Sequence, residues 1–135
     1  MANRVDESIA RVFAGGAVEI CRQIGAFSAN KNLATVYHMF LEQSGGDPQR
    51  LMESLATLHR TLYDWGWTRA VRAGENLCRL EGEYERAATR ANCLTAVGFY
   101  SEALKQLKIQ AEVRETACQV WSNPLCVYEI SWTPR

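Results

Sequence analysis

The sequence predicts an α+β fold, with helices packed on one face of a twisted antiparallel sheet and a β-hairpin at the C-terminal end. Three observations carry this. Leu51, Leu55, Leu58, Leu62 and Trp65 recur four, three, four and three residues apart, the period of an amphipathic helix. Trp67–Ala73 and Asn76–Glu81 are short runs flanking Gly74-Glu75, as in a hairpin. Near the end, Cys126, Tyr128, Ile130 and Trp132 alternate with Val127, Glu129 and Ser131, the two-residue period of a strand with one buried face.

Taken in order, the first thirty residues suggest two helical pieces. Val5, Ile9, Val12 and Phe13 have helical spacing, Gly15-Gly16 interrupts, and Val18, Ile20, Cys21 and Ile24 resume it. A short strand, a glycine turn and a helix is the other reading. Leu33, Val36, Tyr37, Phe40 and Leu41 predict one helix that stops at Gly45-Gly46. Asp47-Pro48 supplies an N-cap followed by proline at the first helical position, opening the leucine-striped helix that Gly66 ends. After the first hairpin, where Cys78 and Leu80 share a face, a helix is expected from about Glu85. Its small-residue side is Ala87, Ala88, Ala91, Leu94 and Val97. Gly98 interrupts it in a glycine-aromatic joint, and Phe99, Ala103, Leu104 and Leu107 continue.

The terminal hairpin poses a register problem. Ala111 and Val113 share one parity, whereas Cys118 and Val120 have the other, so a straight strand cannot bury both pairs. Either a bulge near Glu115-Thr116-Ala117 shifts the register, or one pair faces another layer. With a turn over Trp121-Ser122-Asn123, Cys118 stands opposite Cys126, and Pro124 precedes the strand without removing a ladder hydrogen bond. That pair admits three explanations: two small core residues; a metal site recruiting Cys93 as a third thiolate, in a tetrahedral arrangement suited to zinc; or a disulfide or redox switch.

Composition bounds the function. A chain of 135 residues buries roughly two thirds of its unfolded surface, enough for one core, so one domain over 1–135 is expected, with residues 1–30 as a candidate helical extension. Fifteen basic residues balance fifteen acidic ones, leaving no long-range field to attract nucleic acid or an anionic membrane. The N-terminus lacks the apolar stretch of a signal peptide, and no segment approaches the ~20 apolar residues of a membrane span. Five scattered cysteines with no Cys-x-x-Cys spacing fit reduced thiols, and the cytoplasm is the expected compartment. No catalytic constellation emerges. His38 and His59 are the two histidines; His38 lies off its helix stripe, and His59 borders the leucines as a rim residue or a haem ligand.

Several of these residues resemble the 4-vinyl-reductase-type domain, from the fold group of haem-NO-binding sensors and TRAPP vesicle-tethering subunits. Cys93 stands shortly before Gly98-Phe99, Glu115 stands before Cys118, and Cys126 opens the strand of Tyr128, Ile130 and Trp132. Upstream, Tyr63-Asp64-Trp65-Gly66 followed by a short hairpin is also similar. The match covers roughly residues 50–132 and departs at the turn, where the family's Gly-Asp is replaced by Ser122-Asn123-Pro124. The resemblance implies a helix-covered sheet in a domain that binds small apolar or tetrapyrrole-like molecules, serves an attached signalling module, or assembles with other subunits. With the domain filling the chain, its output is expected to pass to another polypeptide or to a second copy.

Two functional classes follow. The first is a non-catalytic regulatory or adaptor domain working through protein contact, as a homodimer or within a regulatory complex; the TRAPP likeness gives a small-GTPase regulator as its concrete form. Tyr63, Trp65, Trp67, Phe99 and Tyr100 are the candidate contact residues. The alternative is a small-molecule sensor whose pocket, between sheet and helices, is lined by Ala87, Ala91, Leu94 and Tyr128. No cofactor is expected; the alternative is zinc on Cys93, Cys118 and Cys126.

Overall fold

The computed structural model describes residues 16–33, 35, 38–62, 66–85 and 88–134. The helical piece expected over Val5–Phe13, and the candidates Tyr63, Trp65 and Ala87, lie outside the described residues.

Helix α1 (Ala17–Leu33) is followed by the short α2 (His38–Gln43) and by α3 (Pro48–Leu62). The hairpin β1 (Trp67–Gly74) and β2 (Leu77–Glu83) comes next, then α4 (Arg90–Gln106) and the strands β3 (Ala111–Ala117) and β4 (Cys126–Trp132). The sheet is antiparallel throughout, in the order β1-β2-β4-β3, so the terminal hairpin inserts β4 beside β2 at its centre. The predicted α+β class and its four strands are found as expected.

Register explains which side chains are inside. Cys78 pairs with Ile130, Leu80 with Tyr128 and Gly82 with Cys126, and all six are buried on one face. The other face carries Arg79 opposite Glu129, and Glu129 opposite Arg114, the charged side of a half-solvated sheet. The parity conflict in β3 is resolved by a bulge between Glu115 and Ala117. Val113 and Cys118 thereby face the same core, while Val120 ends up exposed in the single 3₁₀ turn Gln119–Trp121.

Local chemistry sets the helix ends. The Asp47 carboxylate accepts from the Gln49 amide at 3.0 Å, so the predicted cap of α3 is present. Within α3, Leu51 and Leu55 are buried, and Leu58 is half-buried. The helix expected to run from Leu33 to Leu41 is instead two. Leu33 is the fully buried last residue of α1, and beyond it the Thr35 amide donates to the Asn32 carbonyl at 3.3 Å, a tighter turn than the α-helical one. The expected start near Glu85 moves to Arg90, because Glu85 has a left-handed backbone (φ 52°) and the Thr89 hydroxyl accepts from the Asn92 amide as the actual cap.

Gly98 does not interrupt α4. A Cβ at Gly98 would run into the Arg22 carbonyl of α1, and one at Gly25 into the Thr95 carbonyl of α4. The two glycines therefore face each other's helix at a crossing too close for any side chain. Asn30 donates to Glu102 further along the same contact at 3.2 Å. A glycine inside a helical pattern reads as a break when the partner helix is out of view.

Candidate functional site

Beneath the terminal hairpin three elements deliver one thiol each. Cys93 comes from the first turns of α4, Cys118 follows the bulge of β3, and Cys126 opens β4. Their Sγ atoms lie within 4.8 Å of one another, with Cys93 at 3.7 Å from Cys118 and 3.9 Å from Cys126. All three thiols are free and buried. They are the described group of His, Cys, Asp or Glu side chains close enough together to share one ion.

Polar neighbours surround the sulfurs. The Arg90 Nη1 donates to Cys118 Sγ at 3.2 Å and to Glu115 Oε1 at 2.7 Å, while Glu115 Oε2 is buried without a hydrogen-bond partner. The Gln119 amide donates to Cys126 Sγ at 3.4 Å. The side chain of Gln119 accepts from the Tyr84 amide at 2.8 Å and donates to Glu83 at 2.9 Å, tying the hairpin tip to the end of β2. The Tyr128 hydroxyl donates to the Cys93 carbonyl at 3.4 Å. Outside, the Arg90 guanidinium lies 4.1 Å over the exposed Trp121 ring, a cation–π contact.

The three thiols are electrostatically unequal. Hydrogen bonding from Cys93, against the opposing effect of burial and with help from the Gln119 amide, lowers the Cys126 pKa to about 7. Cys93 moves the opposite way, because its hydrogen bond with Cys126 and its burial both favour its neutral form. Burial raises Tyr84, Tyr100 and Tyr128 as well, so these phenols keep their protons.

The sequence-derived candidates are scattered. Phe99 and Tyr100 meet edge-to-face at 5.7 Å and are half-buried against the core, with Tyr100 6.1 Å from Tyr128. Trp67 is half-buried at the start of edge strand β1, its ring 5.0 Å from the Arg69 guanidinium. For the pocket alternative, Ala91 and Tyr128 are fully buried and Leu94 half-buried. Residues that the sequence did not single out are Arg90, Gln119, Trp121 and Phe27. Trp121 and Phe27 are 62% and 70% exposed. In the sequence Trp121 reads only as part of a turn, and the position of Arg90 depends on a bulge and a helix start that are tertiary facts.

No family model and no curated protein matches the sequence. Solved structures do. An H-NOX protein from Shewanella oneidensis in its Fe(II)NO ligation state superposes with a TM-score of 0.73 at 14% identity, covering 98% of this chain and 74% of that one. A structure concerned with haem redox potential and porphyrin distortion gives 0.70 at 12% identity, with 98% and 71% covered. A trafficking protein particle complex subunit 3 from Naegleria fowleri, covalently bound to palmitic acid, gives 0.66 at 7% identity, with 98% and 95% covered. The fold is thus that of the NO-signalling and TRAPP-like group, as the resemblance implied.

These neighbours correct one expectation. The reading of no cofactor, with zinc as alternative, gives way: the H-NOX neighbour is an iron protein with NO bound and another neighbour concerns haem, so haem is the cofactor class that this fold raises. The described interior does not fit one. His38 is exposed, with Nε2 3.0 Å from Glu42. Between α4 and the sheet, Leu80, Leu104, Tyr128 and Ile130 are packed at 1% exposure or less, where a porphyrin would need open space; the His59 side chain lies outside the described residues.

Proposed function

We propose that this chain is a non-catalytic regulatory domain that works by contact with another protein, in a complex or with a second copy. The observation that carries the reading is the contrast between interior and surface. The space between α4 and the sheet is filled by side chains, whereas Phe27, Met39, Val120 and Trp121 stand exposed. Large apolar side chains left in water at a helix face and at a hairpin tip are the raw material of an interface. The fold group supports it, since one neighbour is a subunit of a trafficking complex. Among the described residues no helix is long and apolar enough to cross a membrane.

Capture from lysate of the natural cell, followed by native mass spectrometry, tests this. The chain is expected to retain a stoichiometric polypeptide or to dimerise, and Trp121→Ala or Trp67→Ala to weaken that complex by about 2 kcal/mol or more if the ring is central to it. The sensor reading is favoured by a different observation, the likeness to H-NOX proteins. Stoichiometric co-purification of a small molecule with no second polypeptide would establish it instead.

A further inference from the structure

The contact reading makes no use of the chain's most concentrated chemistry. Three thiols from α4, the end of β3 and the start of β4 meet beneath the hairpin tip, with sulfurs 3.7 Å and 3.9 Å apart around Cys93. We propose that this cluster is a redox-modification site: a hydroperoxide oxidises one of the two hairpin thiols, Cys118 or Cys126, and Cys93 then closes on it to form a disulfide joining the hairpin to α4.

The geometry sets Cys93 apart. Each hairpin sulfur is held in place by a donor, Cys126 by the Gln119 amide at 3.4 Å and Cys118 by the Arg90 guanidinium at 3.2 Å. Cys93 is the resolving thiol, because its sulfur lies 3.7 Å from Cys118 and 3.9 Å from Cys126 and side-chain rotation can close either gap toward the ~2.05 Å of a disulfide.

The sulfurs are buried, so a hydroperoxide reaches them when the hairpin tip opens. The tip is the 3₁₀ turn Gln119–Trp121, followed by Ser122 in a left-handed conformation (φ 68°) and by the exposed Asn123 and Pro124. A turn with so little buried apolar surface belongs to the part of a fold that opens locally, and a hydroperoxide is small enough to enter by such an opening.

The chemistry balances. The sulfur of the hairpin thiol attacks one peroxide oxygen, the O–O bond breaks, and the other oxygen leaves with the thiol's proton as water or an alcohol. The resulting sulfenic acid is attacked by Cys93; the S–O bond breaks, the S–S bond forms, and water leaves. Two thiols lose two electrons and the hydroperoxide gains them. An external dithiol reverses the reaction by exchange.

The consequence falls on the surface. Cys126 is bonded to Gln119, in the turn bearing Trp121, and Cys118 is bonded to Arg90, on which Trp121 rests. Drawing either hairpin sulfur toward Cys93 pulls on that aromatic contact.

Peptide mapping under non-reducing conditions tests this on the whole chain, treated with hydrogen peroxide and quenched by alkylation. The expected product is a peptide cross-linked from Cys93 to Cys118 or Cys126 that dithiothreitol removes, with the cluster reacting about tenfold faster than the isolated, buried Cys78. In Cys93→Ser a sulfenic acid on the hairpin thiol is expected to persist and to be trapped by dimedone. A Cys118–Cys126 link would overturn the pairing. Equal oxidation of Cys21, Cys78 and the cluster, or five alkylatable thiols after treatment, would overturn the site itself. The primary readout needs no variant, so misfolding of a mutant leaves it intact.

Discussion

Leu55 and Leu58 belong to the same stripe but not to the same environment. Leu55 is 5% exposed, while Leu58 is half-buried beside a surface groove of about 550 Å³ lined by Phe40, Arg50 and Thr57 among others. Leu55→Ala should therefore cost about 2–5 kcal/mol, the range for a cavity in a packed core, and Leu58→Ala about 1 kcal/mol or less. Urea denaturation of the two variants checks the order, and equal losses would mean that the groove is closed in solution. Periodicity found the stripe but could not grade it, because grading depends on what lies opposite. The same holds for Tyr128, which alternation placed on the inner face without revealing that its hydroxyl reaches the Cys93 carbonyl.

At the scale of elements, the clearest case is the pairing of Gly25 with Gly98. Intrinsic propensity says that alanine improves a helix interior by about 1 kcal/mol over glycine. The crossing says the reverse, since a methyl group at 98 meets backbone of α1 rather than a side chain able to move aside. Gly98→Ala is expected to destabilise by about 1–3 kcal/mol, seen as a lowered melting temperature; a rise would show that α1 does not approach so closely. The bulge at Glu115 was legible because alternation breaks parity there, a purely local signal. The division of Leu33–Leu41 between two helices was not, since its apolar spacing is continuous across the break.

For the molecule as a whole, alkaline pH probes the core. Burial is the main cause that raises Cys78 from 9.0 to about 12 and Tyr100 from 10.0 to about 12, so the folded state holds protons that the unfolded chain releases earlier. Their contribution to stability is complete below pH 9 and is lost as pH climbs from 9 toward 12. Chemical-denaturation midpoints should fall across that window, less steeply in Cys78→Ala. The fold class was readable in the sequence because strands and helices differ in period, and the meeting of Cys118 with Cys126 because a hairpin register is arithmetic. The Arg90–Glu115–Trp121 surround was not, since it joins α4 to β3 and the tip through contacts that only the assembled fold creates. The glycine crossing carries one more consequence, for synthesis. Gly25 leaves the ribosome about seventy residues ahead of Gly98, a delay of roughly 4–14 s at 5–20 residues per second. For that interval α1 lacks α4, the helix it packs on most extensively, and a nascent chain halted before Gly98 should be clipped by protease within α1 while the finished protein resists.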